Sequence, residues 1–330
     1  PNDASLSYGA FAIQRFQRDA WLLEAGVRYD YKYLNADGYD MYSQRYGGEH
    51  NFHNFTYTLG GTMPLSRVSQ LKSNIGVAWR APQVNELYSS GLHHGAGTYD
   101  LGDDKLESET GVKWVTSLLL NNENKRWNVN LDLYIQYIKN YIYDYPTGEV
   151  QTLFSGVYPI FQYTQANAFF RGADLDATVR LLNKNRVAQV GNPTSLDYHL
   201  KASVVWANEV KTGRYFPFIP APRLSQSLEY NKTHRNSLLS RMSASIGHTF
   251  VAKQTRFEPS QELVPTTPDA YHLFEASIGG TLDIGKRQTL DIRLSAENLF
   301  NTEYKEYTNR FRYYAHDLGR NVYLRINYNF

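Results

Sequence analysis

The sequence predicts an all-β fold, a transmembrane antiparallel β-barrel, on three observations. The last nine residues alternate without a break, Val322, Leu324, Ile326, Tyr328 and Phe330 against Tyr323, Arg325, Asn327 and Asn329. A strand has a side-chain period of two, so this one carries an apolar face and a wet face, and it closes on an aromatic. The 330 residues are 15% aromatic, with 27 Tyr, yet only 42% hydrophobic, at mean hydropathy −0.52. A barrel's lipid face uses every second residue, which dilutes hydropathy, and its interface girdles use aromatics. Last, the links between strand-like runs alternate short and long, as in barrels with tight turns on one rim and long loops on the other.

The elements follow in order. Strands near 4–17 and 20–33 flank the tight link 18–19. Strands near 54–65 and 71–81 flank 66–70; in the second, Leu71, Ser73, Ile75, Val77 and Trp79 alternate with Lys72, Asn74, Gly76, Ala78 and Arg80. Strands near 106–120 and 126–143 flank 121–125, and Val129, Leu131, Leu133 and Ile135 alternate with Asn128, Asn130, Asp132 and Tyr134. In the strand near 161–182, Leu175, Ala177, Val179 and Leu181 alternate with Asp174, Asp176, Thr178 and Arg180. Strands near 197–208 and 221–232 come next, then 236–252 after the link 233–235. The strands near 270–283 and 288–300 flank 284–287, and Leu290, Ile292, Leu294 and Ala296 alternate with Asp291, Arg293, Ser295 and Glu297. The strand near 320–330 ends the chain. The long links are 34–53, 82–105, 144–160, 253–269 and 301–319, with 183–196 long on the short-turn side. A charged set on alternate positions excludes a sheet buried on both faces, though a soluble sandwich tolerates it on its outer face.

Composition narrows the function classes. No apolar run approaches the ~20 residues of a transmembrane helix. With no cysteine there is no disulfide framework and no thiolate metal site or nucleophile. The net charge is +2, and lysines and arginines interleave with acids, so no basic block points to nucleic acid. No Gly-x-Ser-x-Gly elbow or His-Glu-x-x-His pattern marks a hydrolase. Pro1-Asn2-Asp3 reads as a mature or truncated start rather than a signal peptide. Thirteen strands are an odd number, whereas bacterial single-chain barrels have an even number. The expectation is therefore the C-terminal part of a larger barrel, beginning in an extracellular loop and unable to close alone.

Five motifs carry a resemblance. They are Trp79-Arg80-Ala81-Pro82-Gln83-Val84-Asn85-Glu86-Leu87-Tyr88; Gly102-Asp103-Asp104-Lys105-Leu106-Glu107-Ser108-Glu109; Ile219-Pro220-Ala221-Pro222-Arg223-Leu224; Glu297-Asn298-Leu299-Phe300-Asn301-Thr302-Glu303-Tyr304; and Gly319-Arg320-Asn321-Val322. With Arg80, Pro82, Glu86, Leu87, Tyr88, Asn298, Phe300 and Phe330 in family order, the chain resembles the TonB-dependent outer-membrane receptors. The second motif matches in part, since Asp and Lys stand where the family has Asn-Pro-x. The resemblance implies a 22-stranded barrel of the bacterial outer membrane, of which residues 1–330 supply about thirteen C-terminal strands. It implies partners too: the lipid bilayer, an N-terminal plug, the remaining strands, and the TonB complex acting through the plug. The implied activity is active transport of a scarce metal-containing ligand (an iron–siderophore, heme or zinc) with no covalent chemistry and no intrinsic cofactor. A passive porin or adhesin barrel is the alternative, separated by the presence of a plug upstream.

The residues themselves offer candidate contacts. Pro82 ends its strand because it cannot donate to a ladder. Arg80 falls on lumen parity with Lys72, as a structural lumen residue or a plug contact. In the loop 82–105, glycines surround His93 and His94, and Tyr99 follows. Imidazole is a common metal ligand, so His93 and His94 are candidate metal ligands. They read equally as polar loop residues, and adjacent histidines on extended backbone point apart. Arg310, Arg312 and Tyr313 in the last loop, with Tyr141, Tyr143 and Tyr145 around Asp144, suit either a vestibule for an anionic chelate or the outer girdle. The girdle is the expectation.

Overall fold

A computed structural model describes residues 2–39, 45–122, 124, 126–184, 193–234, 237–285 and 288–330. The long strands are β1 (Asn2–Arg18), β2 (Trp21–Tyr39), β3 (Arg45–Pro64) and β4 (Ser69–Arg80). A short helix α1 (Val84–Tyr88) and the small strands β5 (Ser90–His93) and β6 (Thr98–Leu101) follow. Then come β7 (Glu109–Asn121), β8 (Trp127–Leu153), β9 (Gly156–Lys184), β10 (Thr194–Glu209), β11 (Arg223–Thr233), β12 (Leu239–Val251), β13 (Tyr271–Gly285), β14 (Gln288–Glu297) and β15 (Asn321–Asn329). Thirteen of these run as one antiparallel meander in chain order, with the β5–β6 hairpin off the path and β6 parallel to β9. Antiparallel neighbours need only tight turns, which is why short links suffice on one rim. Each of the thirteen predicted strands has its counterpart.

Two predicted loops are ladders instead. Pairing of β2 with β3 continues to Tyr39↔Arg45, and β8 pairs with β9 up to Leu153↔Gly156. The segments 34–53 and 144–160 are rich in turn residues, among them Asn35, Asp37, Gly38, Gly47, Pro146 and Gly148. Cross-strand bonding of every second backbone group overrides that local preference. The upper β8–β9 ladder absorbs two irregularities, between Ile138/Tyr141 and Pro146/Val150, with Asn140 at φ 58° and Gly148 at φ 85°. Residues 40–44 of the first loop and 185–192 of the link 183–196 lie outside the described residues, as do 123 and 125, 235 and 236, and 286 and 287 in the tight turns.

The two faces of the sheet differ chemically. On one, Arg293 donates to Ser277 and Ser243, both at 3.2 Å, and is the cross-strand partner of Arg325. Thr281 donates to Asp291, and Asn329 donates to the same carboxylate. The long loops fold over the upper end of this face: Arg223 and Tyr271, of the same parity, both bond Glu306. It is therefore the lumen face. Leu294, Ile326, Ile278, Ile246, Leu133 and Leu59 stand on the other, 47%, 56%, 57%, 52%, 52% and 57% exposed. A sheet-wide apolar face of this kind far exceeds the patches that soluble monomers leave in water. In lipid it costs nothing, while charge at the midplane there costs ~2–4 kcal/mol. Among the described residues β1 pairs only with β2, and β15 only with β14, so the sheet has two free edges. The buried hydrophobics form three clusters in the loop-bearing half, around Leu34 and Leu87, around Phe216 and Ala168, and around Val251 and Tyr271.

Candidate ligand site in the loop layer

The loop after β4 is built on Arg80. Its guanidinium donates to Glu109 at 2.8 Å and to Glu86 at 2.7 Å, tying the end of β4 to both α1 and the start of β7. Pro82 ends the strand, and the Gln83–Glu86 capping box starts the helix. Leu87 and Tyr88 then drop into the cluster with Leu34, Ala36, Leu106 and Ile142. The Tyr88 hydroxyl and His50 Nε2 lie 2.6 Å apart. The second motif closes against the first: Gly102 N donates to Ser89 O, and Asp103 N to Glu86 O. A Cβ on Gly102 would stand 2.5 Å from the Leu87 carbonyl, so only glycine permits this approach. Arg80, Pro82, Glu86, Leu87 and Tyr88 thus form a structural clasp.

The last loop is held the same way. Asn298, 6% exposed and at φ 44°, bonds Thr302 N and O and Leu318 O, drawing both ends of 298–318 together. Phe300 points outward, 66% exposed, edge-on to Phe274. Deeper in, Arg312 pairs with Glu262 with side chains 2% and 1% exposed. Tyr307 and Tyr313 both donate to Glu262, and the guanidinium lies over the rings of Phe218, Tyr307 and Tyr313. Burial and the neighbouring carboxylate push both tyrosine hydroxyls well above their usual range, so they remain protonated donors. Arg312 and Tyr313, read from the sequence as either vestibule or girdle residues, are instead held in the loop core. Tyr99, 6% exposed, is buried as well. The proposed girdle of Tyr141 and Tyr143 is also corrected: the irregularity at Asn140 shifts their parity, and both stack edge-on to Phe216 beneath the loop.

What remains open is a patch around Asp100. This carboxylate is buried, accepts from Thr98 at 2.6 Å, and lies 3.3 Å from His93 Nδ1 and 4.0 Å from Arg310. Arg310 also pairs with buried Asp144 and lies over Phe161 and Phe218. The His93 side chain is 55% exposed, with Nδ1 on the side of Asp100. His94 is exposed beside it. Among the described residues no three metal-ligating side chains converge. A metal reaching this patch would meet one exposed imidazole beside a carboxylate, so other donors would have to come with the ligand. The sequence reading named His93, His94 and Arg310 but missed Asp100, Glu262, Phe161 and Phe218. Isolated acids and phenylalanines leave no spacing signal, since only the fold brings residues so far apart in the chain together.

Known proteins match the fold. Residues 1–299 match the family described as TonB dependent receptor-like, beta-barrel. The chain is similar to the copper transporter OprC at 18% identity and TM-score 0.74, covering 99% of this chain and 48% of that one. It is similar to the FrpB iron transporter from Neisseria meningitidis at 15% identity and TM-score 0.66, covering 100% and 46%. It is also similar to the ferric-catecholate import receptor Fiu from E. coli K12 at 13% identity and TM-score 0.61, covering 99% and 45%. The chain spans about half the length of these solved structures.

Proposed function

The chain belongs to the TonB-dependent receptor family, in its β-barrel part, and from that premise we propose that it serves outer-membrane uptake of a metal-containing ligand, an iron chelate, heme or zinc. The observation that carries this is the open patch above the lumen: an exposed imidazole 3.3 Å from buried Asp100, beside the Arg310 guanidinium. Imidazole offers a metal its lone pair, and guanidinium offers an anionic chelate paired donors. His93 is the candidate metal contact, with His94 as its neighbour. Arg310 is the candidate anion contact.

The rest of the protein follows in the same proposal. Residues 1–330 are the C-terminal part of the barrel, and a plug with further strands completes it. The two free strand edges support this, because unpaired backbone groups in lipid each cost several kcal/mol. TonB would act on the plug to release the ligand inward. The test is uptake of radiolabelled iron chelate, heme iron and zinc by cells carrying the full-length receptor as wild type or as His93→Ala/His94→Ala. The double variant should reach the outer membrane and lose at least ~10-fold in affinity for one of the three, about 1.4 kcal/mol. Unchanged affinity and uptake for all three would sink the histidine assignment. Uptake that survives collapse of the proton gradient would sink active transport.

A further inference from the structure

The lipid face carries cations that the lumen reading does not use. Arg171 of β9 has the parity of Ala173, Leu175 and Leu181, and its cross-strand partners are Ile135 and Trp206. It is exposed in a shallow apolar groove lined by Trp114, Leu133, Ile135, Ala173 and Trp206. Lys139 stands on the same face of β8, exposed, just beyond Tyr137. From the loop above β12, the Arg256 guanidinium lies over the Trp206 ring at 4.9 Å and, among the described residues, hydrogen-bonds only Val205 O. Its Nε is buried with no partner. Among the described residues none of the three cations has an ion pair.

Nor can the face supply one. The outward positions of β7 to β10 near them are Val112, Trp114, Tyr137, Ile135, Phe169, Trp206 and Val204, without a carboxylate. All three cations lie toward the loop-bearing rim. Unpaired guanidinium is tolerated near a membrane interface, and aromatic neighbours mark that level. What is missing is the counter-ion, and the bilayer is the medium that meets this face. Arginine pairs bidentately with phosphate, and each basic group near a charged leaflet adds attraction to anionic lipid.

We propose that Lys139, Arg171 and Arg256, with Trp206 between the arginines, form a binding site for the phosphate headgroup of an anionic lipid, its acyl chain lying in the groove below Arg171. This rests on the membrane reading of the apolar face. The test uses the full-length receptor, delipidated in detergent, and native mass spectrometry with dioleoylphosphatidylglycerol, dioleoylphosphatidylcholine or inorganic phosphate as probes. The wild type should retain phosphatidylglycerol over phosphatidylcholine, and millimolar inorganic phosphate should not displace it. The variant Lys139→Gln/Arg171→Gln/Arg256→Gln should lose that preference by ~10-fold or more, as expected from ~1 kcal/mol per basic group. A lumen variant, Arg325→Gln, should keep it. Equal retention of both lipids by the wild type, an unchanged preference in the triple variant, or displacement by inorganic phosphate would each overturn the proposal. Heat-modifiable migration after reconstitution into phosphatidylcholine vesicles separates the two readings. A wild type that inserts without phosphate preference fails here alone, whereas one that never inserts fails the membrane reading.

Discussion

Two arginines with the same chemistry do different work here, and burial decides which. Arg312 and Glu262 are almost wholly out of water, with aromatic rings stacked on the guanidinium. Removing one partner of such a pair strands the other's charge, so Glu262→Ala should cost ~3–5 kcal/mol of local stability. Hydrogen exchange of the amides at 305–314 would report it. Arg80 is about one-third exposed, so solvent discounts its pairs with Glu86 and Glu109. Arg80→Met should cost ~1–3 kcal/mol, read as faster limited proteolysis between 82 and 105. The hydroxyls of Tyr307 and Tyr313 are raised in the fold, so they favour the neutral form there more than in the unfolded chain. Their stabilisation is then complete below about pH 10 and fades as pH rises beyond it. Ultraviolet titration should show Tyr307 and Tyr313 among the last tyrosines to ionise, as the loop layer opens.

At the scale of elements, the two loop motifs act as one unit because Gly102 lets them touch. Gly102→Ala would push a methyl against the backbone of Leu87 and Tyr88, which cannot yield as a flexible side chain can. The clasp should open, by ~1–3 kcal/mol on the scale of overpacking, with loss of protease resistance at 82–105 and strand content intact by circular dichroism. Long hairpins that rise above the sheet were not legible in the sequence. Turn-type residues fill 34–53 and 144–160, yet once β2, β3, β8 and β9 are aligned, each further ladder bond comes without new loop-closure entropy. The irregularity near Asn140 was equally invisible, and it moved Tyr141 and Tyr143 from the expected girdle to the loop core.

For the whole molecule, the two faces of the sheet dictate how charge is tolerated. Leu294→Arg should destabilise the assembled barrel by ~2–4 kcal/mol, whereas Asn327→Arg, exposed on the wet face, should cost far less. Heat-modifiable migration of the full-length receptor in urea would order the two variants. The reverse order would mean that the faces are assigned the wrong way round. The partner pairs Leu294↔Leu324 and Arg293↔Arg325 make this a clean comparison across one ladder.

The sequence by itself determined the strand period, the thirteen strands of the meander (though not the small β5–β6 hairpin), the two chemical faces and the family. Those depend on neighbours one, two or a few residues apart, and alternation and tight turns write them directly into the chain. Only the tertiary structure decided the ligand patch. Asp100, Asp144, Phe161, Phe218 and Glu262 meet Arg310 and Arg312 across up to 210 residues of chain. Which arginine is buried and which imidazole is left open follows from how the loops pack over the lumen, a many-body competition for burial and hydrogen bonds that no local pattern encodes.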